Sequence, residues 1–374
     1  MSHADTLGQS LALPCGITLK NRFAKSAMCE ALGTIDNHVT PALERLYGRW
    51  AQGGTGLLIT GNIMIDRNHT GEPRNVVLED ERDMTLLKRW ADAGKSQGND
   101  IWVQLNHPGK QIPRMLASGD TLAPSAVPFG KELKSAFKTP RALSEDEIFD
   151  IIRRFATSSA LAKKAGFTGV QIHGAHGYLI DQFFWDVMNK RDDKFGGTSL
   201  VDRASFASDI LKEIRKRVSP DFPIILRYSQ WKQQQYDARL ATTPEDLEAF
   251  LKVFVDGGVD VLHASQRRYW EPEFPEVDGE NGLNGAGWAK KLTGLPTITV
   301  GSVGLSGDFI KAFQGEGSGT RSLDDLEERL SRGEFDLVAV GRALLQDPAW
   351  ARKVHEGRLD ELNDYDAASL ATLS

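Results

Sequence analysis

The chain has few cysteines, no long apolar run and no excess of positive charge. Its 374 residues include only Cys15 and Cys29, which form neither a disulfide framework nor a zinc or iron–sulfur spacing. No segment approaches the roughly 18 to 20 apolar residues of a membrane span, and residues 1–10 lack the apolar stretch of a signal peptide. The net charge of −6 disfavours nucleic acid and anionic membranes as partners. We therefore expect a soluble, cytoplasmic protein.

Short apolar runs alternate with longer segments of helical periodicity. Continuous apolar strands between helices are typical of a parallel sheet covered on both faces. The predicted strands are Phe23–Met28, Gly56–Asn62, Ile101–Asn106, Gly169–His173, Pro223–Ser229, Val259–Ser265, Thr297–Ser302 and Phe335–Gly341. The predicted helices are Ala42–Gln52, Glu81–Gln97, Glu145–Ala165, Leu200–Val218, Pro244–Gly257, Leu323–Arg332 and Leu344–Glu356.

Eight strand–helix units predict an α/β fold, a (β/α)8 TIM barrel forming one domain over residues 1–374. The barrel spans about residues 19–356, and residues 358–374 form a polar tail. Residues 108–140 are too long for a simple connection, so we interpret them as an excursion over the barrel mouth. An open doubly wound sheet is the alternative, weakened because no G-x-G-x-x-G fingerprint opens a first unit.

Polar side chains occupy inward positions where three predicted strands end. Period-two alternation turns Gln104 and Asn106, then Gln171 and His173, and then Arg227 towards the barrel axis. Active sites of this fold form at the carboxyl ends of the strands. The polar groups either satisfy one another or bind a ligand, and their joint occurrence at one end favours a ligand site.

The segment after the fourth strand carries His173, His176 and Tyr178 between glycines. Two kinds of chemistry fit this pattern. The imidazoles could bind a metal together with a further ligand such as His107 or His263, which would make the protein a metal-dependent barrel hydrolase or lyase. Alternatively, both imidazoles donate hydrogen bonds to a substrate oxygen while the phenol transfers a proton.

Glycines follow the last two predicted strands, at Gly301-Ser302 and at Gly341-Arg342. The loops after strands seven and eight are the usual phosphate site of this barrel. Backbone N–H groups can surround an anion where glycine removes the side chain, and arginine adds a charged fork. Two ordinary turns and a surface arginine would give the same sequence pattern, but the occurrence of glycines after both of these strands favours a phosphate site.

The sequence resembles the Old Yellow Enzyme family of FMN-dependent ene-reductases from about Leu19 to Glu356. The most specific motifs are the His173–Phe183 segment and the following Asn-x-Arg-x-Asp-x-Phe-Gly-Gly run at 189–197. The remaining matching segments are Leu19–Arg22, Ser26–Cys29, Gln104–Lys110, Ala123–Ser125 and Val340–Leu345.

The resemblance implies a bound FMN, with NAD(P)H as reductant and a small enone or enal as substrate. It implies that His173 and His176 bind the substrate carbonyl and that Tyr178 donates a proton. No metal is implied. The flavin contacts implied by matching motif positions are Ser26, Ala27, Met28, Cys29, Asn62, Gln104, Arg227, Gly301, Ser302, Gly341 and Arg342.

The chain departs from the family pattern at several positions. Ala31 occupies a position where a tyrosine is common, and the loop Gln266–Gly285 is longer and more charged than expected. A third interpretation, a barrel that binds flavin without catalysis, is disfavoured because a binder needs no proton donor. The sequence leaves open the natural substrate, the choice between NADH and NADPH, the roles of this loop and the tail, and the oligomeric state, for which a homo-oligomer is one outcome.

Overall fold

In a computed structural model, which describes residues 6–309 and 315–372, eight parallel strands surround a common axis. Each of the eight predicted strands corresponds to one of them. The strands are β1 (Phe23–Lys25), β2 (Leu57–Met64), β3 (Asp100–Asn106), β4 (Gly169–His176), β5 (Ile224–Lys232), β6 (Val261–Ser265), β7 (Thr297–Val300) and β8 (Leu337–Val340).

The sheet closes on itself because β1 pairs with both β8 and β2. Val338 pairs with Phe23 on one side of β1, and Ala24 pairs with Leu57 on the other. Val76–Val77 adds a short parallel pairing to the end of β2. A closed parallel sheet confirms the (β/α)8 barrel and excludes the open doubly wound sheet.

Alternating side chains divide the apolar core into two layers. Trp102 and Ile225 belong to a cluster inside the barrel, whereas Val103 and Leu105 belong to the larger cluster between strands and helices. A short antiparallel pair, Leu11–Ala12 with Thr18–Leu19, adds Leu19 to the inner cluster. The inward positions nearer the carboxyl ends are polar, so the inner layer changes from apolar packing to a hydrogen-bonding surface.

The helices follow the prediction with three instructive differences. The predicted helix at 200–218 is interrupted at Ala204, and the one at 344–356 is split where Asp347 is extended ahead of Pro348, since a residue before proline avoids the helical region. Gly285–Thr293 was missed because its first turn contains two glycines. The helices are Pro41–Gln52, Met84–Lys95, Glu145–Ala165, Leu179–Phe184, Leu200–Arg203, Ser205–Arg217, Pro244–Asp256, Pro275–Asp278, Gly285–Thr293, Asp324–Ser331, Arg342–Gln346 and Trp350–His355.

The longest of these helices, Glu145–Ala165, begins with a reciprocal cap. The Ser144 hydroxyl accepts from the Glu147 backbone N–H at 3.3 Å, and the Glu147 carboxylate accepts from the Ser144 N–H at 2.8 Å. The Arg141 guanidinium also donates to Glu147 and holds the pKa of that carboxyl down to about 2. The carboxylate is therefore charged in the folded protein at every ordinary pH.

Replacing Glu147 by alanine should lower the free energy of unfolding by about 0.5 to 1 kcal/mol at pH 7, because the groups involved are partly exposed. Since the folded-state pKa is depressed, this stabilisation is present above the ordinary glutamate pKa and is lost as the pH falls through about 4 towards 2. Urea unfolding across that range measures it. Glu145→Ala, in the same turn but outside the cap, is the control. A pH-independent loss would contradict the assignment.

The excursion at residues 108–140 forms a small structure of its own. Leu122–Ala123 pairs in parallel with Arg141–Ala142, and a 3-10 turn covers Lys131–Leu133. Arg191 donates to the carbonyl of Pro124 at 3.0 Å, which ties the excursion to the segment that follows β4. Within the described residues, none of the helices combines the length and the apolarity required to cross a bilayer.

Candidate active site

A cavity of about 510 Å³ opens at the carboxyl ends of the barrel strands. Its volume is typical of a site for a small molecule or cofactor. All fourteen residues singled out in the sequence line it. They are Ser26, Ala27, Met28, Cys29, Asn62, Gln104, His173, His176, Tyr178, Arg227, Gly301, Ser302, Gly341 and Arg342.

The segment Ser26–Cys29 directly follows β1, because the strand ends earlier than predicted, at Lys25. A buried ion pair fixes this end of the strand. The Lys25 ammonium donates to the Ile59 carbonyl at 2.9 Å and lies 3.4 Å from the Glu30 carboxylate. That carboxylate also accepts from the Gly61 N–H at 3.0 Å. Residues 26–29 are therefore held along one wall of the cavity from both ends.

A chain of hydrogen bonds crosses the floor of the cavity. The Gln104 amide donates to the Asn62 side-chain oxygen at 2.7 Å, and Arg227 donates to the Gln104 oxygen at 3.4 Å. Arg227 also donates to the Ser265 hydroxyl at 3.0 Å, and that hydroxyl lies 2.8 Å from His176 Nε2. The polar side chains therefore satisfy one another in part, although the buried Nε of Arg227 has no partner in the described residues.

This chain constrains the tautomer of His176. Arginine can only donate, so a lone pair of the Ser265 hydroxyl is used by Arg227. The hydroxyl hydrogen is then available to His176 Nε2, which favours the tautomer with the proton on Nδ1. Burial first, and then the charge of Arg227, lower the pKa of His176 well below its ordinary value. The imidazole is therefore neutral and can donate from Nδ1.

The backbone around His176 adopts an unusual conformation. β4 extends to His176, beyond the predicted end at His173, and His176 and Gly177 have φ values of +62° and +81°. A left-handed conformation is uncommon for histidine. Here the backbone N–H donates to the Ser229 hydroxyl at 3.0 Å, and the ring stacks on Trp231 at 4.6 Å. These contacts stabilise the strained residue in one orientation.

His173 and Tyr178 lie side by side. Their ring centroids are 4.8 Å apart in an edge-to-face arrangement. Burial, followed by the charge of Arg227, lowers the pKa of His173 well below its usual range, so this imidazole is also neutral. Burial raises the pKa of Tyr178 well above its usual range, although a hydrogen bond from Asn62 acts in the opposite direction. The phenol therefore retains its proton at neutral pH.

A buried ion pair anchors the segment that carries His176 and Tyr178. Lys232, at the end of β5, lies 2.7 Å from Asp181, and both side chains are almost fully buried. The second oxygen of Asp181 accepts from the backbone N–H of Gly177 at 2.6 Å. The pair therefore joins the end of β5 to the turn that carries His176 and Tyr178.

The opposite end of the cavity has the features of an anion site. Gly301 has φ +127°, and a Cβ there would lie 2.7 Å from the Gln266 carbonyl oxygen, so a side chain is excluded. Arg342 donates to the Asp308 carbonyl at 3.0 Å and to the Gly307 carbonyl at 2.5 Å, which fixes its guanidinium beside Ser302. Gly341 has no side chain that would occupy the space beside Met28 in the cavity wall. This end can surround a phosphate group.

Several lining residues escaped the sequence analysis. Ser265 ends a predicted strand at an inward position, so the rule that identified Arg227 could have found it. Glu72 lies beyond the end of β2 in an irregular segment, and Trp231 lies on β5 but beyond the predicted end of that strand at Ser229, so alternation along the predicted strands gave no signal for either. Gln266 and Arg267, from the loop at 266–285, and Tyr365 and Leu370, from the polar tail, also line the cavity. The loop and the tail thus both contribute walls.

The geometry disfavours the metal interpretation of the histidine pair. Within residues 6–309 and 315–372, one group of three potential ligands lies close enough for a metal, and it consists of Asp66, His69 and His107, none of which lines the cavity. His107 accepts at Nδ1 from the Gly109 N–H, which places its proton on Nε2 and blocks that nitrogen as a ligand. His263 instead pairs with Gln171 inside the barrel at 2.8 Å.

The residues present fit FMN, the cofactor implied by the family resemblance. Gln104 and Arg227 line the cavity, and the buried Nε of Arg227 has no partner in the described residues, so this region can offer donors to the polar edge of a ring. The glycine turn at Gly301 and the guanidinium of Arg342 suit a phosphate tail. The cavity thus offers separate binding features for the two ends of one elongated ligand.

Comparisons with known proteins agree with this geometry. Residues 14–361 match the model of the NADH:flavin oxidoreductase / NADH oxidase family. An NADH oxidase from Thermoanaerobacter brockii is 32% identical over 358 residues, covering 92% of this chain but 50% of that protein. An NADPH dehydrogenase from Clostridium acetobutylicum is 29% identical over 354 residues, covering 92% of this chain and 93% of that protein.

A solved structure supports the fold. The Old Yellow Enzyme homologue of Zymomonas mobilis superposes with a TM-score of 0.76 at 22% identity, covering 94% of this chain and 93% of that one. The family match, the two relatives and the closed barrel all support the same family assignment. The chain therefore belongs to the NADH:flavin oxidoreductase / NADH oxidase family, as a (β/α)8-barrel enzyme of Old Yellow Enzyme type that uses FMN with NAD(P)H as reductant.

Proposed function

We propose that the enzyme reduces the activated C=C bond of α,β-unsaturated carbonyl compounds, namely small enones and enals. The observation that carries this proposal is the placement of His173, His176 and Tyr178 in the same cavity as the anion site at Gly301 and Arg342. One ligand anchored at the anion site would leave the two imidazoles and the phenol free to face a second molecule.

FMN, when bound, supplies the hydride chemistry, accepting hydride from NAD(P)H and passing it to the acceptor. Gln104 and Arg227 would hold the polar edge of its ring, with Asn62 and the wall Ser26, Ala27, Met28 and Cys29 beside it. Burial lowers the pKa of Arg227 only to about 10, so the guanidinium stays cationic at neutral pH. A fixed cation at this position would stabilise negative charge on the ring edge.

The two histidines bind the carbonyl oxygen of the acceptor. Negative charge develops on this oxygen as hydride reaches the β-carbon, and preorganised N–H donors stabilise that charge. Both imidazoles are neutral because burial and Arg227 lower the pKa values of His173 and His176. Ser265 and Trp231 hold the ring of His176, so the donor does not have to reorganise during the reaction.

Tyr178 then protonates the α-carbon. Its hydroxyl is buried, and the Asn62 side chain bonds to it, which fixes its direction. A phenol that stays protonated at neutral pH can act as a general acid when charge builds on the carbon it faces. The enzyme therefore adds the hydride and the proton from different groups to adjacent carbons.

One cavity serves both substrates in this proposal. NAD(P)H and the acceptor would occupy in turn the region of the cavity that His173, His176 and Tyr178 line, which predicts ping-pong kinetics. In anaerobic stopped-flow experiments, NADH or NADPH should bleach the visible absorbance, and cyclohex-2-enone should restore it. Parallel double-reciprocal lines are expected in steady state. Reduced enzyme that cyclohex-2-enone fails to re-oxidise would contradict the proposal.

Replacing Arg342 by alanine should raise the dissociation constant for FMN by about 10- to 100-fold, the range expected for losing a charge-assisted hydrogen bond. Fluorescence titration of the apoprotein measures this constant. Arg342→Lys should give an intermediate value because it keeps the charge and loses the fork. Arg321→Ala, which removes an arginine stacked on Trp270 outside the cavity, is the control. Unchanged affinity in Arg342→Ala would place the phosphate elsewhere.

A further inference from the structure

Two acidic side chains, Glu30 and Glu72, line the cavity, and their environments differ. Glu30 lies 3.4 Å from the Lys25 ammonium, so its charge is balanced. Glu72 instead lies near the Cys29 thiol and near Asn75, whose side-chain oxygen accepts from the Glu72 backbone N–H. Across residues 6–309 and 315–372, Glu72 forms no ion pair with a lysine, arginine or histidine. No ion pair therefore balances the charge of this carboxylate, and burial raises the pKa of Glu72 above its ordinary value.

The local fold holds Glu72 in this position. Residue 72 lies between the end of β2 and the Val76–Val77 pairing with that strand. The Glu72 N–H donates to the Asn75 side-chain oxygen at 2.8 Å, and Asn75 is buried. The Arg74 carbonyl accepts from the Gly33 N–H at 3.0 Å. The carboxylate is thus anchored by a closed turn.

Glu72 lies in the part of the cavity that His173 and Tyr178 also line. Burial is the main cause that raises the pKa values of Cys29 and Tyr178, and the negative charge of Glu72 raises both further. Asn62 connects the same wall to Tyr178. Arg267 and Arg342 line the anion site at the other end. At the end that carries the phenol, the cation Arg227 and the carboxylate Glu72 both line the cavity, and Arg227 donates its hydrogen bonds to Gln104 and Ser265.

An uncompensated charge in a partly enclosed site acts strongly on a second charge nearby. At an effective dielectric constant of about 20, two unit charges several ångströms apart interact by a few kcal/mol, and solvent reduces this value. A difference of about 1.4 kcal/mol corresponds to a tenfold change in binding. Glu72 lines the same cavity as His173, His176 and Tyr178, so its charge can discriminate between ligands that bind there.

We propose that Glu72 is a specificity-determining residue that selects uncharged or amine-bearing acceptors and rejects acceptors that carry a carboxylate. The inference rests on the proposed function, because it places the acceptor against His173, His176 and Tyr178. It defines the substrate class more narrowly than enones and enals in general. Sequence motifs do not reveal this residue, since it acts through charge at a position set by the turn at 72–75.

Binding of matched phenols to the oxidised holoenzyme tests the proposal without requiring turnover. The probes are 4-hydroxybenzoate, 4-hydroxybenzamide and 4-hydroxybenzylamine, which differ mainly in the charge of one substituent. Dissociation constants come from calorimetry and from the visible spectrum. Glu72→Gln should tighten the benzoate about tenfold, weaken the benzylamine about tenfold and change the benzamide less than about twofold.

Two further variants complete the design. Glu72→Asp retains the charge and should keep the wild-type order of affinities even if the turn adjusts. Glu132→Gln removes an exposed acid from the excursion, outside the cavity, and should change nothing. If Glu72→Gln shifts all three constants by one common factor, the carboxylate does not select charge. Failure of all three phenols to bind the wild-type protein would also overturn the proposal.

Failure of the proposed function gives a different pattern. If the phenol dissociation constants show the charge-dependent shifts but the holoenzyme does not transfer hydride to cyclohex-2-enone, the role of Glu72 in binding stands and the ene-reductase assignment is refuted. If the holoenzyme reduces cyclohex-2-enone but the dissociation constants do not shift, only the role of Glu72 is refuted. Turnover of pent-3-en-2-one against 4-oxopent-2-enoate then extends the comparison to acceptors.

Discussion

Replacing Tyr178 by phenylalanine should slow reduction of cyclohex-2-enone by about 10²- to 10⁴-fold, the range for loss of a positioned general acid. The change removes one oxygen and keeps the ring that packs edge-to-face against His173 at 4.8 Å. The loss should therefore come from the missing proton donor and not from collapse of the site.

The two half-reactions separate these effects. Hydride transfer from NADH should stay within about threefold in Tyr178→Phe, because that step requires no proton from the phenol. Re-oxidation by the enone should account for the entire loss. Anaerobic stopped-flow absorbance measures both rates on one sample. Equal slowing of both half-reactions would contradict the assignment of Tyr178 as proton donor.

Replacing Asp181 by alanine should lower the free energy of unfolding by about 3 to 5 kcal/mol, the cost of leaving a buried charge without its partner. Lys232 and Asp181 are 1% and 0% exposed and lie 2.7 Å apart, so water cannot take over the interaction. Burial lowers the pKa of Lys232 even with the partner present, and removal of Asp181 should lower it further. Urea unfolding followed by circular dichroism measures the loss.

A double variant distinguishes charge from packing. Replacing both residues by apolar side chains, as Asp181→Leu with Lys232→Met, should recover most of the stability, since an apolar pair of similar volume often matches a buried ion pair. Activity should remain low, because Gly177 loses the acceptor that fixes its N–H and His176 loses its orientation. Full recovery of both properties would show that the ion pair has no role in the site.

The barrel itself was predictable because burial on both faces leaves a simple pattern. Strands such as β3 and β5 are short apolar runs whose alternation correctly separated Trp102 and Gln104 from Val103. Of the polar residues that this alternation turned inwards, Gln104, His173 and Arg227 line one cavity, as expected for the carboxyl ends of parallel strands, whereas Asn106 and Gln171 do not line it. The helices predicted at 145–165 and 244–257 begin where predicted, and the side chains of Ser144 and Thr243 cap them.

The errors arose where one local signal was given too much or too little weight. The helix predicted at 344–356 ignored Pro348, whose preceding residue is extended. The helix at Gly285–Thr293 was hidden by glycines, although Asn284 caps it with a side-chain bond to Gly287 at 2.8 Å. The extension of β4 to His176 depends on pairing with Lys232, a long-range contact that periodicity within one segment does not reveal.

The parts of the site that escaped prediction depend on tertiary contacts. Glu72 reaches the cavity through a turn, and among residues 6–309 and 315–372 it forms no ion pair, a feature that no sequence pattern reports. Ser265 is significant because it touches both Arg227 and His176, two residues far from it in the chain. Tyr365 lines the phosphate end only because the tail folds back beside Arg342.

The visible spectrum of the purified protein, with its flavin content, tests the central claim most directly. If FMN spans the cavity from Gln104 to Arg342, the protein should be yellow and contain about one FMN per chain. Apoprotein should also regain that amount on incubation with FMN. Folded protein that stays colourless after incubation with FMN, with circular dichroism confirming its helices, would contradict the account.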